Sequence, residues 1–167
     1  MPLIFVTTMN NVFLLLGSNL GDRQLLLQTA IAKIAKRVGP VLEKSALYET
    51  QSWGKTDEPD YLNQVILLKT DLSPNIVLNK ILEIETGMGR RRYEKWGSRL
   101  IDIDILFYND EIIKQHGLEI PHPELHKRRF TLEPLAEIAP DFIHPLINKT
   151  MLELKKDLTD SLIVKKL

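Results

Sequence analysis

The chain has 167 residues, 44% of them hydrophobic and 26% charged, and its 22 basic and 22 acidic side chains leave no net charge. Such a composition excludes disorder, fits one domain over residues 1–167 that buries roughly 70% of its unfolded surface, and disfavours a nucleic-acid binder, which needs an excess of Lys and Arg. The chain has no cysteine, which excludes disulfides, thiolate nucleophiles and Cys-ligated zinc.

Met1 to Thr8 is apolar but lacks the basic region and small-residue cleavage site of a signal peptide. Val12–Leu16 is too short for a membrane span and reads as a buried strand entering the turn Gly17-Ser18-Asn19. A cytoplasmic protein with neither membrane nor nucleic-acid partner is expected. Asp22 caps a predicted helix to about Arg37, with Leu26, Ala30, Ile34 and Val38 at helical spacing, Leu27 and Ile31 beside them, and Gly39-Pro40 as the stop. Val41 to Tyr48 reads as one strand, Thr50 to Asp60 as a long polar loop, and Gln64 to Thr70 as a third strand. Ser73-Pro74 opens a second helix that Gly87-Met88-Gly89 breaks. A basic stretch, Arg90 to Arg99, leads into the strand Leu100–Tyr108. Then come a short Ile112–Ile113 segment, a His-rich turn at Pro121–His126, a helix around Thr131–Ile138 and a last helix near Thr150. The pattern predicts α+β, helices packed on a mixed or antiparallel sheet.

The chemistry concentrates at Leu100–Tyr108. Alternate strand residues share a face, so Asp102 and Asp104 point one way while Ile101, Ile103 and Ile105 point the other. Two like charges on an apolar strand repel and are desolvated, which a hard cation such as Mg²⁺ holding substrate phosphates would offset. A solvated acidic face is the alternative. Arg90 to Arg99 carries five cations, one anion and the aromatics Tyr93 and Trp96. Beside two carboxylates it suits a polyphosphate; a solvated charge run or a nucleic-acid patch are the other readings. No G-x-x-x-x-G-K-[ST] and no G-x-G-x-x-G occurs, so a nucleotide site would be made from side chains. His122 and His126 are four apart, but Pro121 and Pro123 disfavour a helical zinc pair, and phosphate contact by His122 is the better expectation.

The run Gly89-Arg90-x-Arg92-x-x-x-Trp96-Gly97-x-Arg99-x-x-Asp102-x-Asp104-Ile105 resembles the signature of the 6-hydroxymethyl-7,8-dihydropterin pyrophosphokinases of folate synthesis. The likeness extends to Gly17–Gly21, Pro59–Asn63, Glu85, Pro121-His122 and Arg128-x-Phe130. It implies a ferredoxin-like α+β fold, ATP as co-substrate, a reduced pterin as acceptor and a monomer. It further implies two Mg²⁺ ions on Asp102 and Asp104, and phosphates braced by Arg90, Arg92 and Arg99. Trp96, Ile105, His122 and Arg128 would line the nucleotide site, with Glu85 near it. Tyr61 and Phe130 would sandwich the pterin while Asn63 and the loop at Thr50 read its edge. Ser98, Gln51, Ser52 and Gly117 depart from the family pattern, which bears on loop behaviour and affinity rather than on the reaction. The rivals are a noncatalytic pterin or nucleotide binder, a nucleic-acid-binding domain, and an ordinary kinase yielding ADP.

Overall fold

The computed structural model describes residues 8–51, 60–89 and 100–167. Its elements run β1 (Asn10–Ser18), α1 (Arg23–Arg37), β2 (Val41–Lys44), β3 (Tyr48–Thr50), β4 (Tyr61–Thr70), α2 (Pro74–Gly87), β5 (Asp102–Tyr108), β6 (Ile113–Gln115), β7 (Leu118–Ile120), α3 (Arg129–Ile138), α4 (Met151–Lys156) and β8 (Val164–Lys166). A sheet in the order β5-β1-β4-β3-β8, with β2 also on β4, pairs antiparallel throughout, and β6–β7 is a separate hairpin. The predicted α+β fold with an antiparallel sheet is the fold observed.

Inside the edge strand β5 lies β1, paired on both sides, whose apolar run has no polar face because both faces are covered. Val12, Leu14 and Leu16 point into one core with Leu27, Ala30 and Ile34 of α1 and Val77, Ile81 and Ile84 of α2. Phe13 and Leu15 point into the other with Leu132 and Leu135 of α3 and Met151 and Leu154 of α4. Ile101, just before β5, and Ile103 and Ile105 within it face the α1/α2 core, as alternation predicts. The pairing with β1 then slips between Phe13 and Leu14, so that Leu106 and Phe107, neighbours in sequence, both enter the α3/α4 core. An extra residue in one strand is a bulge, and it ends the alternation that the carboxylates obey.

The helix ends follow their sequence signals. Asp22 accepts a hydrogen bond from the Leu25 amide at 3.1 Å, and Thr150 and Glu153 form a reciprocal capping box at α4. Ser73 sits at the N-cap of α2 without a side-chain cap bond, leaving Pro74 as the start signal. In α1 the inward stripe is Leu27, Ala30 and Ile34, with Leu26 only partly buried.

The expected single strand Val41–Tyr48 is two strands. Ser45 interrupts it: the Val65 amide donates to the Ser45 side-chain oxygen at 3.0 Å, and Gln64 donates to the Ser45 carbonyl at 2.7 Å. The third strand begins earlier than expected, at Tyr61, and β8 was not anticipated at all. The predicted loop Thr50–Asp60 is described only at its ends, where Thr50 closes β3.

Gly39 admits no side chain. A Cβ there would lie 1.9 Å from the Lys69 carbonyl oxygen, a backbone atom that cannot step aside. Gly39→Ala is expected to lower unfolding free energy by about 1–3 kcal/mol or more, as overpacked sites do. Urea midpoints of the two proteins check this, and equal midpoints would refute the close approach.

Candidate active site

The polar residues gather where the α3/α4 core runs out. Gly17 of β1 lies opposite Asp102 of β5 on one side and Asn63 of β4 on the other. This row puts a carboxylate and an amide on one sheet face with only a glycine between them. A Cβ at Gly17 would stand 2.7 Å from the Asn63 side-chain oxygen, so the missing side chain is what lets the amide lie over β1. Asn63, 4% exposed, donates to the Thr50 hydroxyl at 3.2 Å. Thr50 in turn lies opposite Tyr61. Thus Thr50, Tyr61 and Asn63 are brought together by strand register alone.

Asp104 lies one step along β5, opposite Leu15, on the same face as Asp102; both carboxylates are half-buried. Among the described residues no three His, Asp or Glu side chains converge into a metal cage. Two carboxylates on a rigid strand nevertheless fit Mg²⁺, a hard cation that keeps waters and takes phosphate oxygens for its remaining positions.

β5 is the sheet's edge, and an open cavity of about 330 Å³ wraps around it. Its lining mixes Leu78 of α2, Ile103 and Ile105 with Asp104, His122 and the β6–β7 hairpin. Of the residues expected at a nucleotide, Asp104, Ile105 and His122 line this cavity, whereas Glu85 and Arg128 do not. Glu85 is 2% exposed on α2, within the helix face that packs on the sheet. The hairpin's part went unread in the sequence, where only Ile112–Ile113 gave a strand signal. Its Gly117 has φ +81°, the left-handed backbone that the two-residue turn His116-Gly117 requires.

His122 is fixed twice. Its amide donates to the Leu106 carbonyl at 3.0 Å, at the bulge of β5, and its Nδ1 accepts from the Glu124 amide at 3.1 Å. An accepting Nδ1 leaves the proton of the neutral ring on Nε2, which makes that nitrogen a donor. Burial lowers the His122 pKa from 6.5 to about 4, and the Arg128 guanidinium adds to the effect against the opposing charges of Glu124 and Asp102. Arg128 also stacks over the Phe130 ring, 5.6 Å from its centroid. Phe130, at the start of α3, is partly buried against the α3/α4 core. Arg90, Arg92, Trp96 and Arg99 lie outside the described residues, as do Ser52 and Ser98.

Residues 13–140 match the family model described as 7,8-dihydro-6-hydroxymethylpterin-pyrophosphokinase. A 2-amino-4-hydroxy-6-hydroxymethyldihydropteridine pyrophosphokinase of Aquifex aeolicus is 44% identical over 90% of this chain and 94% of its own length. One of Haemophilus influenzae is 37% identical over 94% and 98%. A Plasmodium falciparum HPPK-DHPS crystal structure superposes on 90% of this chain with a TM-score of 0.74 at 21% identity, a likeness of fold. The chain spans about half that structure's length, 46% of it.

The neutral state of His122 can be tested directly. Its ring should titrate near pH 4 by NMR, and a midpoint near 6.5 would overturn the buried, Arg128-opposed setting. His144, 3% exposed and lowered to about 4 by burial with His126 adding, should behave alike. Both values lie below the unfolded 6.5, so the unfolded chain binds more protons as pH falls through this window. Their contribution to stability is complete above about pH 6.5, declines toward pH 4, and amounts to an uptake of about two protons on unfolding near pH 5.

Proposed function

The chain belongs to the 7,8-dihydro-6-hydroxymethylpterin-pyrophosphokinase family and is an ATP-dependent pyrophosphokinase of folate synthesis, and we propose that its reaction is run by the carboxylates of β5 between a nucleotide held at the sheet edge and a pterin held on the α3/α4 face. The observation that carries this reading is the position of Asp102 and Asp104: one stands in a row with Gly17 and Asn63, the other lines the cavity with Ile105 and His122.

In the reaction, the hydroxymethyl oxygen of 6-hydroxymethyl-7,8-dihydropterin attacks the β-phosphorus of ATP, the bond from that phosphorus to the α-phosphate oxygen breaks, and AMP leaves. Asp102 and Asp104 would hold two Mg²⁺ ions, which when bound neutralise the triphosphate. The protein's own work is placement. Leu78, Ile103 and Ile105 give the purine an apolar wall, and the neutral Nε2–H of His122 donates to a phosphate oxygen. Thr50 and Asn63 read the edge of the pterin, and Tyr61 and Phe130 enclose its faces. Arg90, Arg92, Arg99 and Trp96 keep the phosphate and nucleotide roles that the family signature implies, with Arg128 and Glu85 supporting the nucleotide side. Both sheet faces are covered by the chain's own helices, which supports a single domain over 1–167 acting as a monomer. No helix among the described residues is long and apolar enough to cross a membrane, and we take the cytoplasm as its place of work.

Incubation with ATP, Mg²⁺ and the pterin should yield AMP in step with pterin loss; ADP in its place would change the reaction class. Asp104→Ala should lower turnover by several orders of magnitude (about 10³-fold or more) in a protein of unchanged circular dichroism. Undiminished turnover would remove the carboxylate assignment. Gly17→Ala should fold, because the Asn63 amide can rotate away from the new methyl. The displaced amide should raise the pterin KM by about tenfold, equal to roughly one lost hydrogen bond. An unaltered pterin KM would take Asn63 out of the site.

A further inference from the structure

The C-terminal tail reaches back to two elements that the pterin reading uses, α3 with Phe130 at one face of the ring and β3 with Thr50 at its edge. At one end of this arrangement α3 is fastened to β3 and its approach by Glu137. That carboxylate accepts from the Ala46 amide at 2.8 Å and from the Tyr48 hydroxyl at 3.3 Å, and pairs with Lys166 at 3.6 Å. Burial, with Glu137 beside it, raises the Tyr48 pKa to about 12, so the phenol remains a donor. Those contacts secure the far end of α3. Phe130 and Thr50 lie at the other end, where the tail spans the gap.

There Asp160 grips the start of α3. Its Oδ2 accepts from the Arg129 amide at 2.9 Å, while its Oδ1 accepts from the Leu162 amide at 2.8 Å and turns the tail toward β3. The first helical turn has amides without intrahelical partners and favours a negative charge. The N-cap residue of α3, Arg128, supplies no side-chain cap, so Asp160 caps the helix from 31 residues away. Arg129 returns the grip: its guanidinium donates to the Asp160 carbonyl at 3.5 Å and pairs with Glu133 at 3.2 Å. Beyond the turn, the Gln51 amide donates to the Ile163 carbonyl at 3.4 Å. Thr50 pairs with Val164 and Tyr48 with Lys166 as β8 joins the sheet. Thr50 is bonded to Asn63.

We infer that Asp160 is a positioning residue for the pterin slot, acting through the tail to set the spacing between Phe130 on α3 and Thr50 on β3. The inference rests on the pterin assignment above. The tail touches the sheet at the edge opposite β5, so the nucleotide cavity should not register its loss.

Affinities for the pterin, in the presence of saturating α,β-methylene-ATP, and for α,β-methylene-ATP alone would be measured by calorimetry. The proteins are the unaltered chain, Asp160→Ala, and a chain ending at Leu162 that keeps the Asp160 cap but lacks β8. Both variants are expected to bind the pterin about tenfold more weakly and the nucleotide analogue within twofold of the unaltered chain. Equal weakening for both ligands would mean a general loss of structure and overturn the inference, as would unchanged pterin affinity. If Asp160→Ala yields no folded protein, Asp160→Asn, which keeps the side chain's size but loses its charge at the start of α3, decides by the same criteria. Failure of the unaltered chain to bind the pterin would instead overturn the pterin reading, and this inference with it.

Discussion

At Gly17 the interior strand β1 carries no side chain, and the strands on both sides depend on that. β1 is sealed by apolar residues on both faces from Val12 to Leu16, and along that stretch Asp104, opposite Leu15, stays half-buried because β5 is the sheet's edge. At Gly17 the seal stops. Asn63 can lay its amide across the gap, and Asp102 can keep its charge near solvent, because nothing bulkier than hydrogen stands between them. Strand pairing fixes backbone positions far more tightly than loops do, and a transfer reaction that relies on placement gains from having its donors on adjacent strands.

The bulge at Leu106 matters for the same reason. Up to Ile105 the edge strand obeys alternation, which holds both carboxylates on one face and three isoleucines on the other. Continued alternation would send Phe107 into the α1/α2 core. The slip sends it instead into the ring cluster with Phe13 and Phe142, at 6.1 and 4.7 Å between centroids. It also leaves the Leu106 carbonyl to accept the His122 amide. One irregularity thus ends the functional part of the strand, anchors its lower half in the core, and attaches the histidine beside Asp104.

Much of this was legible in the sequence wherever side-chain period and burial speak together. The Asp102-Ile-Asp104-Ile alternation, the Asp22 cap and the Thr150 helix start are local signals, and the structure keeps them. What was not legible depends on partners distant in the chain. Ser45 divides an expected strand because its hydroxyl answers an amide twenty residues away. The three residues of β8 are a strand only because β3 offers them an edge, and Asp160 reads as a loop residue until α3 begins beside it. For the site, the family signature singled out Thr50, Asn63 and His122, but only the register explains why Gly17 must accompany them. The hairpin that walls the cavity carried too short an apolar pattern to be seen.

The electrostatics of the site follow from the same placement. A polyanion is best met by donors whose charge does not fluctuate over the working pH. An exposed histidine, with a pKa near 6.5, would be partly protonated there. Burial and Arg128 hold His122 neutral, and the Glu124 amide occupies Nδ1, so the ring offers one N–H in one direction. Were His122 charged, it would draw on Glu124 and, less strongly, on Asp102, whose attraction already works against the lowered pKa. A carboxylate engaged by an imidazolium is a poorer partner for a metal ion. On the proposed reading, a neutral ring would leave Asp102 available to the cation and would give the phosphate a hydrogen bond that does not compete for that carboxylate.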